Sequence, residues 1–222
     1  MDSQLLLLLN GSDSVFLDNC FLIVTRTATW LPLLGVLLLI ILFNSMRLVS
    51  RGVLLFVLFA VAFSLVILVC DQTASTICKP LFARLRPSHE PALLGLVDLV
   101  DGRRGGTFGF FSSHAANSFG VATFSALVLR HRLAGVTLFL WAALTSYSRI
   151  YLGFHYPGDI LVGLLFGILV GFLFHYLFRK VAVHAVHDSV ATLTFSCKQA
   201  LLLLAAFALS LVAIALRAFV IS

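Results

Sequence analysis

An all-α fold, a polytopic bundle of about six membrane-spanning helices, is predicted by three features of this chain. Hydrophobic side chains make up 61% of its 222 residues and charged ones only 11%, which excludes an ordinary water-soluble domain. Apolar runs of bilayer-crossing length recur from one end to the other. A few compact polar clusters interrupt a sequence that is otherwise apolar.

Taken in order, Met1-Asp2 starts without a basic region, so no cleaved signal peptide is expected. Residues 5–24 are apolar but are broken by Asn10-Gly11-Ser12-Asp13-Ser14 and by Asp18-Asn19. Such a pattern predicts an interfacial helix pair, and residues 1–27 are assigned as an N-terminal interfacial segment. Residues 28–222 form the membrane domain, with its motif-bearing core at 71–178. The predicted spans are 28–43, 52–70, 114–129, 133–150, 159–178 and 199–220. Asn117, Ser118, Thr123, Thr145 and Ser146 fall within the third and fourth, where polar side chains face other helices. There is no internal repeat, low-complexity tract or flexible linker.

The net charge of +6 raises nucleic acid or an anionic membrane surface as partners. Lys and Arg sit at span ends and in the polar clusters, with no aromatic-interleaved basic face, so nucleic acid is not expected. Cys20, Cys70, Cys78 and Cys197 have no zinc-like spacing and read as free thiols, buried by preference.

Alternation of the spans brings Lys79, the stretch Ser112 to His114, and the turn from Arg149 to Asp159 to one membrane face. The opposite face carries Arg47, Arg51, Arg130, Arg132, Arg179, Lys180 and Lys198, which marks it as cytoplasmic. The polar clusters then face the periplasm or cell exterior, with both chain ends on that side.

Three clusters carry the chemistry. In the last, Ser148-Arg149 is followed after five residues by His155, and after three more by Asp159. Pro157 starts a helix there, so His155 and Asp159 share a face at a helix start. The carboxylate accepts a hydrogen bond from one ring nitrogen, fixing the tautomer and freeing the other as a nucleophile. A helix N-terminus favours bound phosphate, and the Arg149 guanidinium suits paired phosphate oxygens. The bland alternative is a His-Asp pair that merely anchors a loop.

His114 opens another helix after Ser112 and Ser113. Either a serine caps that helix and His114 is interfacial, or the hydroxyls and free amides hold phosphate oxygens. In the second case His114 protonates the departing oxygen and later deprotonates water. Lys79 and Arg86-Pro87, six residues apart, form the remaining cluster. Pro80 and Pro87 disturb helical geometry between them. Their plain role is snorkelling to lipid headgroups, to which Arg84, Arg103 and Arg104 are assigned as well. No carboxylate spacing suggests a metal cage, and three cations neutralise a transferring phosphoryl group, so neither metal nor cofactor is expected.

These clusters resemble the motifs of the type 2 phosphatidic acid phosphatase (PAP2) family, membrane lipid phosphatases that share a core fold with vanadium haloperoxidases. Lys-six-Arg-Pro matches Lys79 and Arg86-Pro87; Ser-Arg-five-His-three-Asp matches Ser148-Arg149, His155 and Asp159. The middle motif, Pro-Ser-Gly-His, is half met, with Phe111 and Ser113 in place of proline and glycine beside Ser112 and His114. The resemblance implies that His155 attacks phosphorus to give a phosphohistidine, oriented by Asp159, with His114 as acid and then base. It implies that Lys79, Arg86, Arg149, Ser112 and the Ser113 amide bind the phosphoryl oxygens.

The expected function is therefore a metal-independent bacterial lipid phosphatase of the inner membrane, acting on its outer face. Undecaprenyl diphosphate is the first substrate expected, with phosphatidylglycerophosphate, phosphatidate and lipid A as alternatives. A lipid phosphotransferase would use the same intermediate and another acceptor. A non-catalytic lipid-binding membrane protein is the alternative of a different class. Residues 88–107, between the first two motifs, are expected to form a lid or headgroup pocket.

Overall fold

Apolar runs in a bilayer become helices because each backbone polar group has to be satisfied within its own segment. The computed structural model describes residues 1–48, 51–186 and 193–222, and among these it contains helices and no strand. Two short helices, α1 (Asp2–Leu9) and α2 (Val15–Val24), precede a 3₁₀ turn at Thr27–Trp30 and α3 (Leu31–Leu48). Next, α4 (Gly52–Gln72) continues through a π-turn at Thr73–Cys78 into α5 (Lys79–Phe82). The remaining helices are α6 (Ser113–Leu129), α7 (Arg132–Tyr151), α8 (Pro157–Val186) and α9 (Cys197–Val220).

Five of these helical stretches are long and apolar enough to cross a membrane: 27–47, 52–82, 132–151, 157–186 and 197–220. The sixth predicted span, α6, has 17 residues. At 1.5 Å per residue that is about 26 Å, the short end of a bilayer crossing. Two helices outrun their predicted ends. The second span was expected to stop at 70 and reaches 82; the fifth was expected to stop at 178 and reaches 186.

Helix α6 occupies the middle of the bundle, and its main partner is α8. The reason is a row of small residues. Gly163, Gly167 and Gly171 recur every fourth position on α8, so the two backbones touch. A Cβ at Gly167 would lie 2.3 Å from the Ala116 carbonyl oxygen, and one at Gly171 would lie 2.7 Å from that of Gly120. On the other side of α8, Leu161, Leu165, Leu169 and Phe172 are exposed, the face a lipid-bathed helix presents. Phe59 of α4, Phe124 of α6 and Phe178 of α8 interlock at centroid distances of 5.1 to 6.1 Å and close the far half of the core.

The predicted alternation of helices holds. At one end, Asn44 of α3 bonds Gln199 of α9, Arg51 donates to the Ala185 carbonyl of α8, and Phe195 donates to the Leu129 carbonyl of α6. The opposite ends of α5, α6, α7 and α8 carry the three polar clusters. Above them lie α1, α2 and the 83–112 segment. Leu6 of α1 is fully buried with Leu93, Ala115, Ile150, Tyr156 and Ile160. Asn10 ties the layer together by donating to the carbonyls of Asp98 and Tyr151 and accepting from the Asp98 amide. The four cysteines are free thiols as expected, but only Cys70 is buried and Cys197 is exposed.

Candidate active site

Each cluster is held by a different backbone device. Helix α7 ends at Tyr151, and Gly153 takes a positive φ of 66° that turns the chain back on itself. The amides of Phe154 and His155 then donate to the Arg149 carbonyl, which pins His155 beneath the end of α7. Pro157 starts α8 as predicted and Asp159 lies in its first turn. His155 and Asp159 are both buried, at 1% and 0% exposure, so neither is a surface loop anchor. The His155 Nδ1 atom faces Asp159 Oδ2 at 3.5 Å and has no hydrogen-bond partner. That separation is just beyond a hydrogen bond, a spacing common in catalytic pairs before substrate arrives. It leaves Nε2 as the nitrogen on the far side of the ring.

Asp159 itself is fully engaged. Its Oδ1 accepts from Arg84 Nη1 at 2.7 Å, and its Oδ2 accepts from the Tyr156 amide at 3.1 Å. Arg84 had been assigned to headgroup snorkelling; the structure corrects this. Its guanidinium lies 4.1 Å over the Tyr156 ring and bridges Asp159 to Asp2. Arg103 fits its surface assignment, with one long 3.7 Å contact to Asp101, and Arg104 is exposed.

The cations predicted to bind phosphate surround the histidine. Arg86 is buried and donates from Nε to the Phe108 carbonyl and from Nη1 to the Phe154 carbonyl. Arg149 donates from Nη1 to Thr25 Oγ1 at 2.5 Å, stacks 4.5 Å over the Phe154 ring, and keeps its Nε unpartnered. Lys79 sits within the helix that α4 begins and donates to Ser75 Oγ at 3.1 Å. The π-turn just before it admits Pro80, whose missing N–H falls where the regular ladder has already been interrupted.

Ser112 is the N-cap of α6: its hydroxyl oxygen accepts from the Ala115 amide at 3.4 Å. Its amide donates to the Asp159 carbonyl at 3.1 Å, which ties the start of α6 to the start of α8. The hydroxyl proton remains available. Ser113 and His114 follow in the first turn, and both line a cavity of about 260 Å³ between α3, α4, α6 and α7. Trp141 Nε1 and Thr145 Oγ1, also on its wall, have no hydrogen-bond partners. Of the predicted residues, Ser148 alone turns away, donating to the Thr145 carbonyl within its own helix.

Gly109 was not anticipated. A Cβ there would lie 3.1 Å from Arg86 Cγ and 3.2 Å from Asp159 Oδ2, so a side chain would press these two site residues outward and glycine lets the backbone pass between them undisturbed. The glycine-rich run from Gly105 to Gly109 was the available signal.

Burial, then the positive fields of Arg86, Arg149 and Lys79, hold the His155 imidazole well below its ordinary value of 6.5. At neutral pH it is uncharged, the form with a lone pair to donate. In the unfolded chain it titrates near its ordinary value of about 6.5, so protonation favours unfolding. The stability from a neutral His155 is whole above about pH 6.5 and is lost as pH falls toward the depressed folded value. The thermal midpoint of the detergent-solubilised protein is therefore expected to drop below pH 6.5 more steeply in the parent than in His155→Gln. Parallel pH curves for the two proteins would contradict this.

Comparison with known proteins supplies the family. Residues 53–182 match the PAP2 superfamily. The chain belongs to this family. It is 38% identical over 190 residues to a lipid A 4'-phosphatase of Bacteroides thetaiotaomicron, covering 85% of this chain and 82% of that protein. It is 36% identical over 167 residues to a lipid A 4'-phosphatase of Porphyromonas gingivalis, covering 75% and 68%. No solved structure matches the chain at a significant level. The protein is thus a PAP2-type membrane lipid phosphatase, with the all-α membrane bundle expected of it. The PAP2 match spans all three polar clusters and leaves α1, α2, α3 and α9 outside it.

Proposed function

We propose that this PAP2 phosphatase acts on lipid A, removing a phosphate through a phosphohistidine on His155. The substrate reading is carried by the two lipid A 4'-phosphatases, which align with most of this chain and most of their own length. Undecaprenyl diphosphate, the first substrate expected from sequence, has no support among these relatives. Lipid A was among the alternatives and takes its place.

The site's geometry supports the chemistry. Asp159 stands on the Nδ1 side of His155, so Nε2 attacks phosphorus and the P–O bond to the lipid alcohol breaks. With the anionic phosphate bound, His114 carries a proton and gives it to the leaving oxygen; the neutral imidazole then takes a proton from water. The resulting hydroxide breaks the P–N bond, releases orthophosphate and returns His155 to its neutral form. Lys79, Arg86 and Arg149 balance the phosphoryl charge throughout, with Ser112 and the Ser113 amide completing the cradle. Asp159 stabilises the cationic imidazole while it carries the phosphoryl group.

Since the leaving oxygen departs toward His114, the cavity beside His114 takes the portion of the lipid next to the scissile bond. Its apolar wall of Trp30, Phe63, Ile67 and Trp141 suits an acyl chain. The unpartnered Trp141 Nε1 and Thr145 Oγ1 suit a polar group close to the chain's head. The basic loops at the far end of the bundle support a site on the periplasmic face of a bacterial inner membrane.

The test is phosphate release by purified protein across lipid A, undecaprenyl diphosphate, phosphatidylglycerophosphate and phosphatidate, each with and without EDTA. Lipid A is expected to give the highest kcat/KM, by about tenfold or more (a difference of about 1.4 kcal/mol), with no loss on chelation. Preference for another lipid in the panel would overturn the substrate assignment, and loss of activity with EDTA would overturn the metal-free mechanism.

A further inference from the structure

We infer that Asp2 is a positioning residue of the active site, acting through Arg84, so that α1 belongs to the catalytic machinery although it lies outside the PAP2 match. The inference rests on reading His155 and Asp159 as nucleophile and orienting carboxylate; it does not depend on which lipid is cleaved.

Four observations meet at Asp2. One guanidinium spans two carboxylates: Arg84 Nη1 donates to Asp159 Oδ1 at 2.7 Å, and its Nη2 donates to Asp2 Oδ2 at 2.6 Å. The other oxygen of Asp2 accepts from the Gly158 amide at 2.9 Å. That amide belongs to the first turn of α8, where N–H groups have no partner within the helix. Asp2 is thus a cap delivered from a separate helix onto Gly158, the residue that follows the helix start at Pro157 and precedes Asp159. The approach depends on glycine, because a Cβ at Gly158 would lie 2.8 Å from Asp2 Oδ2. Finally, α1 is anchored for this purpose: Leu6 is fully buried against Tyr156, Ile160 and Ala115, which belong to the turn before α8, to α8 and to α6.

The physical consequence follows from which oxygen each partner holds. Asp159 has one oxygen for Arg84 and the other for the Tyr156 amide and His155 Nδ1. While Arg84 holds Oδ1, the carboxylate cannot rotate, and Oδ2 stays beside the imidazole. The side chains of Arg84 and Asp2 are each about one-third exposed, at 35% and 33%, so burial alone does not fix the guanidinium. Asp2 supplies its second anchor, with the Tyr156 ring beneath. Both of Arg84's side-chain hydrogen bonds run to carboxylates, Asp159 and Asp2, so its task is to orient the carboxylate and leave phosphate binding to Lys79, Arg86 and Arg149.

The experiment compares kcat and KM for Asp2→Ala, Arg84→Met and the double variant with the parent and with His155→Ala, on whichever lipid phosphate the parent cleaves. Loss of a group that orients a catalytic side chain costs on the order of 10- to 100-fold. We expect kcat to fall about tenfold in Asp2→Ala and about a hundredfold in Arg84→Met, with KM within about twofold of the parent in both. The double variant should be no slower than Arg84→Met, because both changes break one linkage. A merely structural role would lower folded yield or raise KM and would let the two losses multiply. Asp2→Asn keeps the shape and the bond to Gly158 while removing the charge, and serves in place of Asp2→Ala if that variant does not fold. The proposal is overturned if kcat in the Asp2 variants stays within twofold of the parent, or if the losses multiply, while His155→Ala is inactive. Full activity in His155→Ala would instead remove the reading of the site on which the proposal stands.

Discussion

Replacing His155 by alanine is expected to lower kcat at least about a thousandfold, the loss found when a covalent catalyst loses its nucleophile. The protein should remain folded, since His155 Nδ1 has no hydrogen-bond partner that its loss would strand. Its Nδ1 only faces Asp159, which keeps Arg84 and the Tyr156 amide. Acid quenching of the parent during turnover of a lipid labelled at phosphorus should trap label on the protein, and His155→Ala should trap none. More label should accumulate in His114→Ala if hydrolysis of the intermediate slows more than its formation. A His155→Ala protein that still releases phosphate at a tenth of the parental rate would eliminate the phosphohistidine mechanism. Variants at Arg149 and Arg86 should behave differently, raising KM as well as lowering kcat, because in the proposed mechanism those groups meet the phosphoryl oxygens in substrate and transition state alike.

The second large effect concerns folding. Gly167→Val places a branched side chain where even a Cβ lies 2.3 Å from the Ala116 carbonyl oxygen and 2.9 Å from the Gly120 amide nitrogen. Both obstacles are backbone, so no rotamer change relieves them, and α6 and α8 have to separate. Overpacking of a tight core costs about 1–3 kcal/mol where side chains can adjust. Here the cost is expected to reach or exceed about 3 kcal/mol, because the helices would also lose their contact at Gly163 and Gly171. The same separation would pull the Ser112 amide from the Asp159 carbonyl, coupling the bundle's packing to the site. Size-exclusion profile and thermal midpoint in detergent would read this out. Gly135→Ala is the control: its Cβ would meet only Ala126 Cβ at 3.5 Å, an ordinary contact. It should leave the midpoint unchanged or raise it, since alanine is favoured over glycine in a helix by about 1 kcal/mol. A Gly167→Val protein as stable as the parent would mean that the close approach of α6 and α8 does not hold the bundle together.

The candidate catalytic residues were legible because their signals are local. His155 and Asp159 lie four apart around a helix start announced by Pro157, a spacing that brings them side by side once the turn at Gly153 holds His155 under α7. Spans were legible because apolar length is enough to specify a helix in hydrocarbon. Their ends were less so. The second span reads as ending at 70, yet the helix carries on past Pro80 to Phe82 because a π-turn absorbs the missing donor, a rearrangement that no period in the residues announces.

Arg84 shows the other kind of miss. It lies two residues before Arg86 in an extended stretch, and its partners are 75 positions ahead and 82 behind. Nothing in its neighbourhood distinguishes it from an arginine reaching for headgroups. Gly109, Gly158 and Gly167 are similar cases: each is needed for what it lets approach, and what approaches is set by distant chain.

Composition and spacing by themselves determined the membrane-spanning helices, the alternation that gathers three clusters at one end, and the candidate residues for phosphoryl transfer, since those depend on interactions within a few turns. Tertiary structure decided which oxygen of Asp159 faces the imidazole, which arginine restrains that carboxylate, and that the first helix reaches in to cap the eighth. Such pairings arise between segments far apart in the chain, where energy depends on packing geometry that no local pattern encodes.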